Sequence, residues 1–278
     1  MEAMWTLSGF ADEISPDLDE QVALVTRLGL RYIELRSAWD VNVLDLDGDQ
    51  LCRVKTTLDG AGLGVSSIGS PIGKIAITDD NAPHLERMRH AADVAKLFGA
   101  PYIRMFSYFM PAGADPDGYR DEVISRIADL AAIAEDAGVT LIHENEKEIF
   151  GDIPRRCLDI VEAVNSPALA LTWDNANFVQ CGVRPFAEAY PLLAQHVAYL
   201  QVKDALAADG TVVPAGEGDG EFRQTMRAFA AAGFDGFVSL APHLGYGHSL
   251  GGFSGPENWP RAFRAFTAIL DEEGIAYS

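Results

Sequence analysis

The sequence predicts an α/β protein folded as one (β/α)8 TIM barrel, a single domain over residues 1–278. Two patterns predict it. Eight short apolar runs recur along the chain, each ending in polar residues, and amphipathic segments with apolar residues at three- and four-residue spacing lie between them. Glycines stand where several of those segments should stop, at Gly29, Gly62, Gly99 and Gly138, the usual place for a residue at positive φ. Strand–helix alternation gives a parallel sheet, and eight units favour closure over an open doubly wound sheet. No GxGxxG follows the first run, which weakens a dinucleotide-binding reading.

Taken in order, the first strand lies in TLSGFADEIS (6–15) and the helical stretch Leu18–Leu28 follows it. LGLRYIELR (28–36) and AGLGVSSIGS (61–70) supply the next two strands, then the stretch His84–Phe98 leads into FGAPYIRMF (98–106). The stretch Arg120–Ala137 precedes AGVTLIHENE (137–146). SPALALTWDNAN (166–177) and QHVAYLQVKDA (195–205) begin with Pro or His where the others have Gly, and Phe222–Ala232 leads to AGFDGFVSLAPH (232–243).

The active site of such a barrel lies at the C-terminal ends of its strands. The polar residues there are Asp12 and Glu13; Glu34 and Arg36; Ser67 and Ser70; Arg104 and Ser107; His143, Glu144 and Asn145; Asp174 and Asn177; Gln201, Lys203 and Asp204; and His243. Nearly every strand thus brings a charged or hydrogen-bonding group to one mouth, as a polyhydroxylated ligand needs. Glu34 and Arg36 alternate with Leu35 and share a face, and the barrel mouth is the better side for charge.

With 41 acidic against 21 basic residues, the formal charge is −20, which repels phosphate backbones and disfavours a nucleic-acid partner. No apolar run reaches the length of a membrane span, and no basic-then-apolar leader opens the chain, so no membrane partner and a cytoplasmic location are expected. Cys52, Cys157 and Cys181 show no CxxC pairing and read as free thiols of a reducing compartment.

The motifs FADEIS, IELR, GSPIGKI, IRMFS, LIHENEKEIFGD, WDNANFVQCG, QVKDA with PAGEGDGEF, and SLAPHL occur in order at barrel spacing. In them the chain resembles the sugar phosphate isomerase/epimerase branch of the xylose isomerase-like TIM barrel family, over nearly its whole length. The resemblance implies a divalent metal held by Glu, Asp, His and Glu at the fifth to eighth strands. Glu144 and Asp174 match the first two; Gln201 stands in place of the His of HxKDA and Ala241 in place of the Glu of SLEPHL. Glu144, Asp174 and Gln201 are therefore the expected metal ligands. A Gln carbonyl brings neither charge nor imidazole nitrogen, so Mg or Mn is expected before Zn, with a metal-free site as the other outcome.

The chemistry so implied is proton abstraction beside a carbonyl, on a keto-sugar, a sugar phosphate or a cyclitol. Because Ala241 removes one carboxylate, Glu144, His143 and His243 are the acid–base candidates, and Glu34, Arg104, Asn177 and Lys203 the substrate-binding ones. Two other readings stand beside this one: a sugar-binding barrel with impaired catalysis, and a lyase or C-glycoside deglycosidase-like subunit that needs a partner chain. Relatives that pair through barrel helices make a homo-oligomer one candidate assembly.

Plainer roles compete at several positions. Glu144 and Asp174 could be solvated turn acids, Lys203 could pair with Asp204, and Arg104 with Glu34. Glu217 and Asp219 in GEGDG read as part of a Gly-rich turn. His84, His90, His196 and His248 are expected on the surface, and Tyr108–Tyr119 and Tyr246–Trp259 as lids over the mouth. An endonuclease IV-like role needs a His-rich multi-zinc cluster, and of six histidines only His143 and His243 lie near strand ends.

Overall fold

A computed structural model describes residues 4–245 and 251–278 of the chain, with the backbone of residues 247–248. Eight strands form where the eight apolar runs lie: β1 (Thr6–Gly9), β2 (Tyr32–Leu35), β3 (Gly64–Ile72), β4 (Tyr102–Met105), β5 (Thr140–Glu144), β6 (Leu169–Asp174), β7 (Val197–Val202) and β8 (Phe237–Leu240). They pair side by side in the order β1-β8-β7-β6-β5-β4-β3-β2, and every ladder is parallel. A bridge between Phe10 and Glu34 spans the seam between β1 and β2, so the barrel is nearly closed.

The helices are α1 (Leu18–Arg27), α2 (Gly48–Ala61), α3 (Ala82–Phe98), α4 (Arg120–Ala137), α5 (Pro154–Val164), the short α6 (Asn175–Gln180) and α7 (Tyr190–Leu193), then α8 (Phe222–Ala231) and α9 (Gly255–Glu273). Their ends follow local chemistry. Asp47 and Gln50 close a reciprocal capping box at the start of α2. Gly62, Gly99 and Gly138 end α2, α3 and α4 in the left-handed region, where a β-carbon would be strained. No helix among the described residues is long and apolar enough to cross a membrane.

Strand alternation sorts the side chains into two environments. Ile33, Leu35, Ile103, Met105, Leu141, Leu171, Trp173, Leu200, Val202, Val238 and Leu240 face outward into the main apolar core, beneath the helices. The inward set is polar. Ser8 Oγ lies 2.6 Å from Ser66 Oγ, which lies 2.8 Å from the Tyr199 hydroxyl. Tyr199 and Ser239 donate to Glu34 at 3.3 and 2.6 Å. The barrel axis is thus a hydrogen-bonded column, and burial raises the Glu34 carboxyl to about 7 against the pull of Arg104 and Ser239.

Two expectations about the periphery need correction. His84, read as a surface residue, is buried, because its Nε2 accepts the Gly73 N–H at 2.8 Å and so pins the loop between β3 and α3. Part of the segment read as a lid, residues 255–259, is the first turn and a half of α9, and Trp259 is buried there with its indole N–H on Phe10 O. Residues 246, 249 and 250 of that segment, and the His248 side chain, lie outside the described residues.

Burial, with Arg87 and Arg126 nearby, lowers the His84 pKa to about 4. Protonation would also destroy the acceptor that Gly73 uses. The unfolded chain takes up this proton near pH 6.5 and the native chain only near 4, so the contribution is complete above 6.5 and is lost as pH falls toward 4. His84→Gln keeps an acceptor without the titration. Its urea midpoint should fall less than that of the wild type between pH 7 and 5, and parallel slopes would refute the assignment.

Candidate active site

At the C-terminal end of the barrel is a cavity of about 270 Å³, lined by Arg36, Lys74, Arg104, Glu144, Glu146, Lys147, Asn177, Gln180, Lys203, Val212, His243, Gly251 and Gly252. Five of these are cations and two are carboxylates, in a chain of formal charge −20. Larger recesses of about 470 and 500 Å³ lie among surface loops and hold few titratable groups, Glu148 and Asp152 in one and Glu257 in the other. A recess of about 300 Å³ is also rich in ionisable groups, but they pair with one another away from the strand ends, Arg120 with Asp159 and Arg155 and Arg156 with Asp117. The strand-end groups gather in the smaller cavity. Arg36 is held by Asp12 at 2.7 Å and lies over the Phe10 ring, and Arg104 lies over the same ring at 4.8 Å.

Asp174 ends β6 and caps α6: its Oδ1 accepts the Asn177 N–H at 2.9 Å. Its Oδ2 faces Lys203 Nζ at 2.8 Å, with the two side chains 0% and 6% exposed. The same ammonium donates to Asn177 Oδ1 at 2.9 Å. Asn177 Nδ2 in turn donates to Glu144 Oε1 at 3.1 Å, and Arg104 donates to Glu144 Oε2 at 3.1 Å. Burial works against the Lys203 charge, but Asp174, Glu144 and Glu146 outweigh it and hold the ammonium above the ordinary lysine range. Five of the expected site residues, Arg104, Glu144, Asp174, Asn177 and Lys203, thus meet in one chain of contacts.

Lys203 does not pair with its neighbour Asp204, nor Arg104 with Glu34. Asp204 is turned away and accepts the backbone N–H groups of Gly216, Gly218 and Gly220 at 2.9, 3.2 and 2.9 Å. A β-carbon at Gly218 or Gly220 would come within 2.5 Å of its Oδ1. The GEGDG run is therefore a cradle for the Asp204 carboxylate, which fixes the backbone next to Lys203.

The remaining candidates divide. Glu34 and Gln201 lie below the cavity floor, with Gln201 Nε2 directed at Glu34 Oε1 at 3.5 Å, and neither lines the cavity. His143 does not serve the mouth as expected. It alternates with Glu144 onto the outer face of β5, fully buried against Gly151, and neither ring nitrogen has a partner. Burial alone lowers its pKa to about 3.

His243 does line the cavity, though not as a strand residue. β8 ends at Leu240, and His243 has φ +47 after Pro242. Its ring packs where a β-carbon of Gly252 would be. Sequence reasoning placed Glu13 among the polar strand ends but did not pair it with His243. This fully buried carboxylate accepts the His243 N–H and the Ser254 hydroxyl, both at 2.8 Å, and its free oxygen lies 3.7 Å from His243 Nε2. Burial, opposed by Arg36 and these hydrogen bonds, raises Glu13 to about 7. The two residues are 230 apart in sequence, and only the acidic end of FADEIS hinted at the pairing.

The sequence model of the Xylose isomerase-like TIM barrel family matches residues 22–269. The chain belongs to this family. Among curated proteins it is similar to a 2-epi-5-epi-valiolone 7-phosphate 2-epimerase of Actinoplanes sp., at 28% identity over 178 residues. That match spans 63% of each chain, less than two thirds of the relative's length. Solved barrels of the family share the fold across almost the full chain. A D-tagatose 3-epimerase-like protein superposes with TM-score 0.77 at 14% identity, covering 97% of this chain and 98% of its own. A xylose isomerase-like barrel of Mycobacterium smegmatis, solved in complex with magnesium, superposes with TM-score 0.67 at 21% identity, covering 96% and 98%.

That barrel was solved with magnesium; in this chain the donor set is poorer and is partly engaged by protein cations. Asp174 and Glu144 each face a protein cation, Lys203 and Arg104, although Asp174 Oδ2 accepts no hydrogen bond. Gln201 offers one uncommitted neutral oxygen, and Ala241 offers none. No group of three or more His, Cys, Asp or Glu among the described residues is arranged to hold a metal. Glu144, Asp174 and Gln201 are the ligands expected for Mg or Mn; in this structure Glu144 and Asp174 face Arg104 and Lys203, and Gln201 faces Glu34.

The Lys203–Asp174 pair can be tested by unfolding in guanidinium. Lys203→Met strands a buried carboxylate and should lower stability by about 3–5 kcal/mol. Adding Asp174→Asn should recover most of that loss, whereas a double variant no more stable than the single would show that the pair is not what holds this wall.

Proposed function

We propose that the chain is an enzyme of the sugar isomerase/epimerase kind that moves a proton on the carbon next to a carbonyl, in a keto-sugar, a sugar phosphate or a cyclitol ketone. The observation that carries this reading is the Glu144 carboxylate, held by Arg104 and Asn177 on the wall of a cationic cavity at the mouth of the barrel. The partial similarity to a sugar-phosphate-type epimerase supports it, and five cations around the cavity suit an anionic or polyhydroxylated ligand.

In this reading Glu144 removes the proton from the carbon, and the electron pair moves onto the carbonyl oxygen to give an enediolate. Return of a proton to the neighbouring carbon isomerises the sugar; return to the opposite face of the same carbon epimerises it. His243, from the segment after β8 and three strands from β5 around the barrel, is the second proton carrier, with Glu13 behind its ring as the positioning residue. It replaces in role the carboxylate that Ala241 lacks.

Incubation in D2O with a panel of keto-sugars, their phosphates and inosose-type ketones reads the step directly, because deuterium enters the carbon next to the carbonyl whatever the final product. Exchange should appear in at least one substrate and fall by about 10²–10⁴-fold in Glu144→Gln. Ligands that raise the melting temperature without any exchange would instead assign a binding barrel.

A further inference from the structure

We infer that this site stabilises negative charge with its own side-chain cations, Lys203 and Arg104, and works without a divalent metal. The inference rests on the proton-transfer reading for the charge that forms, an enediolate oxygen, and on the cavity's geometry for what meets it.

Lys203 projects into the cavity from the end of β7, and its ammonium already contacts Asp174 Oδ2 and Asn177 Oδ1 at 2.8 and 2.9 Å. Only the Asn177 contact is a hydrogen bond, the Asp174 one being an ion-pair contact, so of its three hydrogens the ammonium keeps at least one for a ligand oxygen. Of the two carboxylates that the metal-binding pattern supplies here, Asp174 anchors Lys203, while Glu144, the proposed base, has Arg104 beside one oxygen. The two substitutions in that pattern fit the same arrangement. Gln201 does not line the cavity and lies against Glu34, and Ala241 is buried and brings no oxygen to the mouth. Asp204, locked by three glycine amides, holds the backbone that carries Lys203. A fixed ammonium placed before the charge develops needs no reorganisation as the oxyanion forms.

Electron paramagnetic resonance of Mn2+ in the presence of the full chain tests metal binding without any substrate. The free-ion signal should persist at millimolar Mn2+. Loss of that signal in the wild type, with its return in Asp174→Asn, would overturn the inference. The deuterium exchange assay supplies the second readout. Exchange should be unaffected by chelator, and should fall by about 10²–10³-fold in Lys203→Met. Adding Asp174→Asn to that variant should restore stability but not exchange. Exchange that stops with chelator and returns with Mn2+ would sink the inference while leaving the proton-transfer reading intact. Absence of exchange in every substrate would sink that reading, and the Mn2+ signal would still report on the metal question by itself.

Discussion

Two charges withdrawn from water, the Lys203 ammonium and the Asp174 carboxylate, hold the mouth of this barrel together. Neither tolerates burial alone, since each desolvated ion costs several kcal/mol unless it is paired and its remaining hydrogen-bonding capacity is used. Here the use is nearly complete. Asp174 spends one oxygen on Lys203 and the other on the first turn of α6, and that turn presents Asn177 to both Lys203 and Glu144. Arg104 closes the chain of contacts from β4. The position of the proposed base is therefore set by four strands through two ion pairs, and a change at any link is felt at Glu144.

The mouth gathers charges of both signs, with Arg36, Lys74, Arg104 and Lys203 paired to Asp12, Glu146, Glu144 and Asp174. The net charge of −20 is carried mostly by exposed acids, while the cavity gathers Arg36, Lys74, Arg104, Lys147 and Lys203. Low-dielectric walls strengthen each of these pairings relative to the same charges at the open surface. Phe10 and Phe106 serve the same arrangement, since their ring faces accommodate the Arg36, Arg104 and Lys74 cations.

Glycine does separate work on two sides of the mouth. At 216–220 it removes side chains so that backbone N–H groups can reach Asp204, and at 252 it leaves room for the His243 ring. Beneath both, the polar column of Ser8, Ser66, Tyr199, Glu34 and Ser239 fills the barrel axis where branched apolar side chains are the more usual filling.

The eight strands, the glycine stops at 62, 99 and 138, and the polar strand ends were legible because each follows from local periodicity or from a backbone conformation that one residue type suits. Glu144, Asp174, Asn177, Arg104 and Lys203 were legible as a set for the same reason: barrel topology brings strand ends together, whichever partner each side chain takes. The partners themselves were not. Whether Lys203 meets Asp204 or Asp174, whether His143 or His243 reaches the cavity, and whether Glu13 stands behind a histidine 230 residues away all depend on side-chain direction and on loops that cross between distant strands. Sequence by itself determined the barrel and the ring of groups at its mouth. Tertiary structure decided which charges cancel, because ion pairing is set by distances of a few ångströms between residues that chain order leaves far apart.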